Sequence, residues 1–277
     1  METTGSKLSY EGVGGAQDLI NQTLQVGGGA IFIDEAYQLT TNQSGEQVLD
    51  FLLAEMENRV GTLIFVLAGY NKEMEKFFEH NPGLPSRVPY RLQFSDYTDA
   101  ELMTMLEDLI FKRYQGRMDI EDGIHGLYGR IAVRRLGRGR GVPGFGNARA
   151  LQNMLAKVCE CQAERVEKAR RAGAVANDFF MTKEDLIGPD PSQVISNNAA
   201  WTELQGLIGL DSVKQSVRNF FALVETNYHR ELEGMEPLQM SLNRIFLGSP
   251  GTGKTTIAKL YGQVLADLGL LSNGEGR

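Results

Sequence analysis

Apolar positions in the first third of this chain switch between a helical and a strand rhythm. Ala16, Leu19, Ile20 and Leu24 recur at helical spacing, and glycines 27–29 close that segment. AIFID, residues 30–34, is a short apolar run of buried-strand type. Val48, Leu49, Leu52, Leu53 and Met56 mark an amphipathic helix. TLIFVLAG, residues 62–69, predicts a second buried strand, and YRLQF, residues 90–94, a third. Strands alternating with helices over residues 1–96 predict an α/β fold with a parallel sheet flanked by helices.

From residue 97 the pattern is helical. Thr98-Asp99-Ala100-Glu101 is a capping box, and Leu102, Met105, Leu106, Leu109 and Ile110 follow on one face. Helices are predicted over about 123–136 and 147–171, so residues 97–188 read as a small all-helical lid. Residues 189–205, with proline, serine and asparagine at their start, read as a linker. In the last segment, 206–277, Val213, Val217, Phe220, Phe221, Val224 and Tyr228 form another helical stripe. NRIFLGS, residues 243–249, predicts a strand, and Ile257, Leu260, Val264 and Leu265 a closing helix.

Composition narrows the function classes. The 277 residues are 42% hydrophobic and 23% charged, with a net charge of −7, which argues against nonspecific nucleic-acid binding. No apolar run approaches the ~20 residues of a membrane span. METTGSKLSY lacks a cationic and an apolar segment, so no signal peptide is read there and an intracellular, cytoplasmic or nuclear, location is expected. Cys159 and Cys161 stand two apart in a helical pattern, a spacing that suits neither a disulfide nor a zinc site. His80, His125 and His229 show no ligand spacing, so no metal cage of side chains is expected.

Chemistry concentrates in two places. GSPGTGKTT, residues 248–256, contains the full G-x-x-x-x-G-K-T pattern between a predicted strand and a predicted helix. In that context Gly248, Ser249, Pro250, Gly251, Thr252, Gly253, Lys254, Thr255 and Thr256 are the candidate nucleotide-binding residues. Glycines let backbone N–H groups turn onto phosphate oxygens, Lys254 neutralises the β/γ-phosphates, and the Thr255 hydroxyl is a candidate Mg²⁺ ligand. The other place is IFIDEA, residues 31–36, an apolar strand ending in two acids. Successive strand side chains point to opposite sides, so Asp34 and Glu35 cannot share one task; in P-loop enzymes one acid at such a strand end holds Mg²⁺ and the next can polarise the attacking water. The plain alternative is an acidic helix cap after a core strand.

IFIDEAY at 31–37, AGYN at 68–71, NPG-x-x-SR at 81–87 and GNAR at 146–149 together resemble the CbbX/SpoVK-type AAA+ ATPases. That group includes the red-type rubisco activases and proteins with several such modules in tandem. The resemblance covers nearly all of the chain. It implies a P-loop NTPase (AAA+) fold, ATP and Mg²⁺ as ligands, a protein substrate, and a homo-oligomeric ring or neighbouring AAA+ modules as partners, with no membrane or nucleic acid. It also implies residue roles: Asp34 matches the Mg²⁺-associated acid and Glu35 the catalytic acid. Asn71 matches the sensor-1 residue that orients the attacking water, Arg87 the arginine finger reaching a neighbour's nucleotide, and Arg149 the sensor-2 arginine of the lid. Arg91 is a second candidate finger. Tyr10, slightly out of register, is the aromatic candidate for a pore loop. A guanine-specifying reading of Asn71-Lys72-Glu73 fails, because an acid is wanted where Met74 stands. Arg134, Arg135, Arg138 and Arg140 read as a solvated glycine-rich loop rather than an anion site.

The order departs from the family pattern, because the acids precede the glycine loop. The expectation is the back of one tandem module followed by the front of the next, or a circularly permuted module. In the permuted case, residues 244–247 would insert between strand 63–68 and strand 91–94.

Overall fold

A computed structural model describes residues 1–80, 83–142 and 144–270; Asn81 and Pro82 of the NPG motif and the last residues of the 206–277 segment lie outside it. The chain divides into two compact units, Met1–Ser95 and Asp96–Arg277.

The first unit runs β1 (Glu2–Thr4), α1 (Gly5–Gln25), β2 (Gly29–Asp34), a 3-10 turn (Ala36–Thr40), α2 (Gln43–Asn58), β3 (Leu63–Leu67), α3 (Asn71–His80) and α4 (Leu84–Arg87). Its sheet is parallel in the order β1-β2-β3, with Thr4 opposite Asp34 and Ile33 opposite Leu67. All three carboxyl ends therefore emerge on one side. Ile31 and Ile33 alternate onto the face that packs with Leu8, Ile20, Leu49, Leu52 and Phe77, all buried. Each such side chain contributes about 1.5–3 kcal/mol of burial. Ile64 and Val66 point the other way and are exposed. Thr4 caps α1 by accepting from the Lys7 N–H, and Asn42 caps α2 by accepting from the Gly45 N–H. At Gly12, φ is 67°, which breaks α1 into two pieces.

The second unit begins as the sequence pattern predicts. Thr98 and Glu101 close the capping box of α5 (Asp99–Tyr114), followed by β4 (Asp119–Ile120), α6 (Leu127–Gly137), α7 (Ala148–Arg171), β5 (Phe180–Met181) and α8 (Lys183–Ile187). Leu102, Leu106, Ile131, Leu151 and Leu155 form its first core. Next come α9 (Pro191–Ser196), α10 (Ala199–Gly206), α11 (Asp211–Leu232) and α12 (Lys254–Asp267). Trp201, Leu204, Phe220, Phe221, Ile257 and Val264 form a second core, with Trp201 edge-on to Phe221 at 5.2 Å.

Three expectations change. The supposed linker holds two helices, because Asp190 and Asn198 each accept a backbone N–H as helix caps. Residues 90–94 and 243–249 are not strands. A strand exists only where a ladder takes up its backbone groups, and the sheet of three strands, all from the first unit, includes neither segment. Residues 244–247 still alternate: Arg244 lies 5.9 Å and 5.8 Å from the Phe220 and Tyr261 rings, while Ile245 and Leu247 are 85% and 88% exposed.

The basic run is also not free in solvent but held in ion pairs and hydrogen bonds. Arg135 and Arg138 each reach Glu231 of α11 at 2.7 Å, Arg134 donates to the Gly234 carbonyl at 3.2 Å, and Arg140 pairs with Asp99. Burial pushes the Glu231 carboxyl up, but the hydrogen bonds and charges of Arg135 and Arg138 outweigh it and hold it below the ordinary carboxylate range. A lowered folded-state value stabilises the fold above the unfolded-state value, and that gain is lost as pH falls through the folded one. Glu231→Gln is expected to cost about 2 kcal/mol at neutral pH. This is less than the ~3–5 kcal/mol of a fully buried pair, because the guanidinium side chains are 35% and 38% exposed. Thermal melts followed by circular dichroism check this: the stability difference between wild type and variant shrinks as pH falls below about 4.5.

Candidate functional site

The acid end of β2 is shaped by its backbone. Asp34 lies at the strand terminus, exposed, with Oδ1 accepting the Glu35 N–H at 2.9 Å. Glu35 then adopts a left-handed conformation, φ 49° and ψ 42°, which is strained for a residue with a Cβ. The turn is locked on both sides. The Ala36 N–H donates to the Ala68 carbonyl at 2.9 Å and the Ala68 N–H to the Ile33 carbonyl at 2.9 Å, tying the turn to the end of β3. Gly5 packs beneath it, where an added Cβ would lie 2.4 Å from the Glu35 carbonyl oxygen. Gly69 follows β3 and leaves room for Tyr37, whose Cδ1 an added Cβ would meet at 2.9 Å. Asn71 begins α3, exposed, and no hydrogen bond of its side chain is found among the described residues. The structure thus brings Asp34, Glu35 and Asn71 to one end of the sheet, the position where open parallel sheets bind ligands.

The glycine-rich loop is folded as a helix entrance. Gly251 and Gly253 have φ of 80°, and Gly253 is the N-cap of α12. Lys254 donates to the Gly248 and Ser249 carbonyls at 2.9 and 2.7 Å, and the Thr252 hydroxyl donates to Ser249 at 2.9 Å. Pro250, Thr255 and Thr256 are exposed. The loop, with Lys254 and Thr255, belongs to the second unit, and Asp34, Glu35 and Asn71 to the first.

The arginines differ in how they are held. Arg87 ends α4, pairs with Glu57 at 2.7 Å, donates to the Gly83 carbonyl at 3.1 Å and buries its Nε without an acceptor among the described residues. Arg91 is exposed, and its guanidinium lies 4.1 Å over the Phe78 ring. Arg149, the second residue of α7, is exposed and forms no ion pair with a described residue. A lone cation at a helix N-terminus is disfavoured by the helix dipole, which an anion there would relieve. Tyr10 is 92% exposed, two residues before the break in α1. Sequence reasoning missed the Tyr37–Gly69 packing and the Arg91–Phe78 stack, which no local spacing announces.

Proteins with related sequences are CbbX of Cereibacter sphaeroides, 36% identical over 168 residues, which cover 57% of this chain and 51% of that protein, CfxQ of Xanthobacter flavus, 38% identical over 133 residues, 46% of this chain and 39% of that protein, and the plasmid CbxX of Cupriavidus necator, 36% identical over 159 residues, 56% and 47%. The chain is homologous to CbbX-type proteins. It spans about half the length of these CbbX-type relatives. No protein-family model matches the sequence. The AAA+ fold that the CbbX-type homologues imply agrees with a parallel α/β sheet flanked by helices. Among the described residues, no helix is long and apolar enough to cross a membrane.

Gly253→Ala places a Cβ at φ 80° and is expected to cost about 1–2 kcal/mol; a lowered melting temperature with unchanged far-ultraviolet dichroism at low temperature checks it.

Proposed function

We propose that this protein binds Mg·ATP through residues 248–256 and hydrolyses it, using the turnover to remodel a protein partner. The observation that carries the reading is the folded glycine loop, whose Gly253 caps α12 and whose Lys254 ammonium lies on loop carbonyls. Lys254 exchanges those two carbonyls for phosphate oxygens, while the α12 N-terminus supplies donors and favourable partial charge. The donor chemistry fits Mg²⁺: an Asp34 carboxylate with one oxygen already engaged, the Thr255 hydroxyl, and phosphate oxygens of the nucleotide. When bound, Mg²⁺ supplies charge compensation to the phosphates. Asn71 orients a water whose proton passes to the Glu35 carboxylate as the water oxygen bonds to the γ-phosphorus. The bridging bond to the γ-phosphorus breaks, and ADP leaves. Arg149 offers the γ-phosphate a further cation, and an arginine from a neighbouring copy completes the charge balance. Homo-oligomerisation and a protein substrate, with Tyr10 on an exposed helix break, accord with the CbbX-type homologues.

Turnover requires both residue sets around one nucleotide, supplied by one copy or by two. Their division between two compact units favours a second reading, an ATP-binding assembly module with little turnover.

Titration with a fluorescent ATP analogue and steady-state phosphate release separate the readings. Lys254→Ala is expected to weaken binding at least about 100-fold, about 3 kcal/mol of charge-assisted contacts. Glu35→Gln is expected to keep binding while lowering kcat by roughly 10²–10⁴. Binding without turnover in the wild type supports the assembly module, and no binding removes both readings.

A further inference from the structure

Asn147, two residues before Arg149, is held in an unusual way. It stands at the N-cap of α7, where an asparagine side chain ordinarily accepts an amide N–H of its own helix. Here it accepts none of them. Its backbone lies at φ 45° and ψ −114°, outside the regions open to a residue with a Cβ. Strain of that kind persists only where the surroundings over-determine it, and it gathers at functional sites.

The surroundings do so through Asp96 and Tyr97, the first two residues of the second unit. Asn147 Nδ2 donates to Asp96 Oδ1 at 2.7 Å, and Asn147 Oδ1 accepts the Tyr97 N–H at 3.0 Å. Asp96 Oδ2 accepts the Gly141 N–H at 3.1 Å. Arg140 donates through Nε to the Tyr97 carbonyl at 2.6 Å and pairs with Asp99. Both groups of the Tyr97 peptide and both oxygens of Asp96 are thus engaged, although Asp96 is exposed. The Asn147 hydrogen bond first, and then that of Gly141, hold the Asp96 carboxyl below the ordinary carboxylate range.

The first turn of α7 starts from this clasped residue. The Arg149 N–H donates to the Gly146 carbonyl at 2.8 Å, and the Leu151 N–H returns to the Asn147 carbonyl at 3.0 Å. We infer that Asp96 is a positioning residue for nucleotide recognition: through Asn147 it fixes the first turn of α7, and with it the place from which Arg149 meets the γ-phosphate. The inference rests on the role given to Arg149 in the reading above. Asp96 touches no nucleotide and takes part in no bond change. Its contribution is preorganisation, because a guanidinium launched from an unclasped turn samples more directions and loses part of its contact.

The test compares fluorescent ATP and ADP analogues on the full chain with Mg²⁺, since only the first carries a γ-phosphate. Arg149→Ala is expected to weaken the ATP analogue roughly 10-fold or more, as loss of a charge-assisted hydrogen bond does. The ADP analogue stays within about twofold of wild type. Asp96→Ala is expected to reproduce that selectivity at smaller amplitude, roughly 3–10-fold. Asn147→Gly adopts the same backbone without strain and frees the clasp, so it gives the same selective loss at a nearly unchanged melting temperature. Should Asp96→Ala not fold, Asn147→Gly carries the comparison. Adding Asp96→Ala to Arg149→Ala costs less than about twofold more, because a residue acting through Arg149 has nothing left to act on. Both analogues weakened alike by Asp96→Ala, wild-type ATP affinity in Asn147→Gly, or full additivity in the double variant overturns the inference while Arg149 keeps its role. If Arg149→Ala changes neither analogue, the role of Arg149 falls and the inference with it. A wild type that binds neither analogue overturns the nucleotide reading itself.

Discussion

The ladder between β2 and β3 is the interaction on which the candidate chemistry of the first unit depends. It aligns five residue pairs from Gly29 with Leu63 to Ile33 with Leu67, and the Ala36 and Ala68 amides extend it past the strand ends. Because the strands are parallel, both chains leave the sheet on the same side, so the turn carrying Asp34 and Glu35 lies beside the one carrying Gly69 and Asn71. Slipping the ladder by one residue would move Ile31 and Ile33 out of the core and turn both acids to the opposite face. Hydrophobic burial thus sets the register, and the register aims the carboxylates.

The second unit depends on a different kind of bond. Its two apolar cores belong to different helices, and α11 reaches both: Tyr228 packs with the first, and Val217, Phe220 and Phe221 with the second. Near the end of that helix, Glu231 gathers the guanidiniums of Arg135 and Arg138 from α6 and its C-cap. Apolar contact tolerates sliding, whereas a carboxylate shared by two planar forks permits few relative orientations. The ion cluster therefore adds geometry where burial adds most of the energy.

Helices and their caps were legible in the sequence because their signals are local. The Thr98–Glu101 box and the spacing of Val48 to Leu53 each lie within a few residues and appear as read, and a helix follows the glycines at 248–253. Strand pairing and ion pairing are not local. Residues 90–94 and 243–249 carry strand-like alternation, but alternation names only a face, and the ladder must come from elsewhere. Arg135 and Arg138 look solvated until Glu231, more than ninety positions on, closes over them. The same limit applies to Arg87 and Arg91, whose contacts with Glu57 and Phe78 no local spacing announces.

The left-handed turn at Glu35 has a consequence for how this sequence can drift. At φ 49° and ψ 42° the backbone accepts glycine freely, asparagine and aspartate readily, and β-branched residues hardly at all. Substitution there is filtered first by conformation and only then by charge. A descendant free to replace Glu35 would tend to accumulate small or amide side chains before valine or isoleucine, so its sequence would still carry the imprint of the bend.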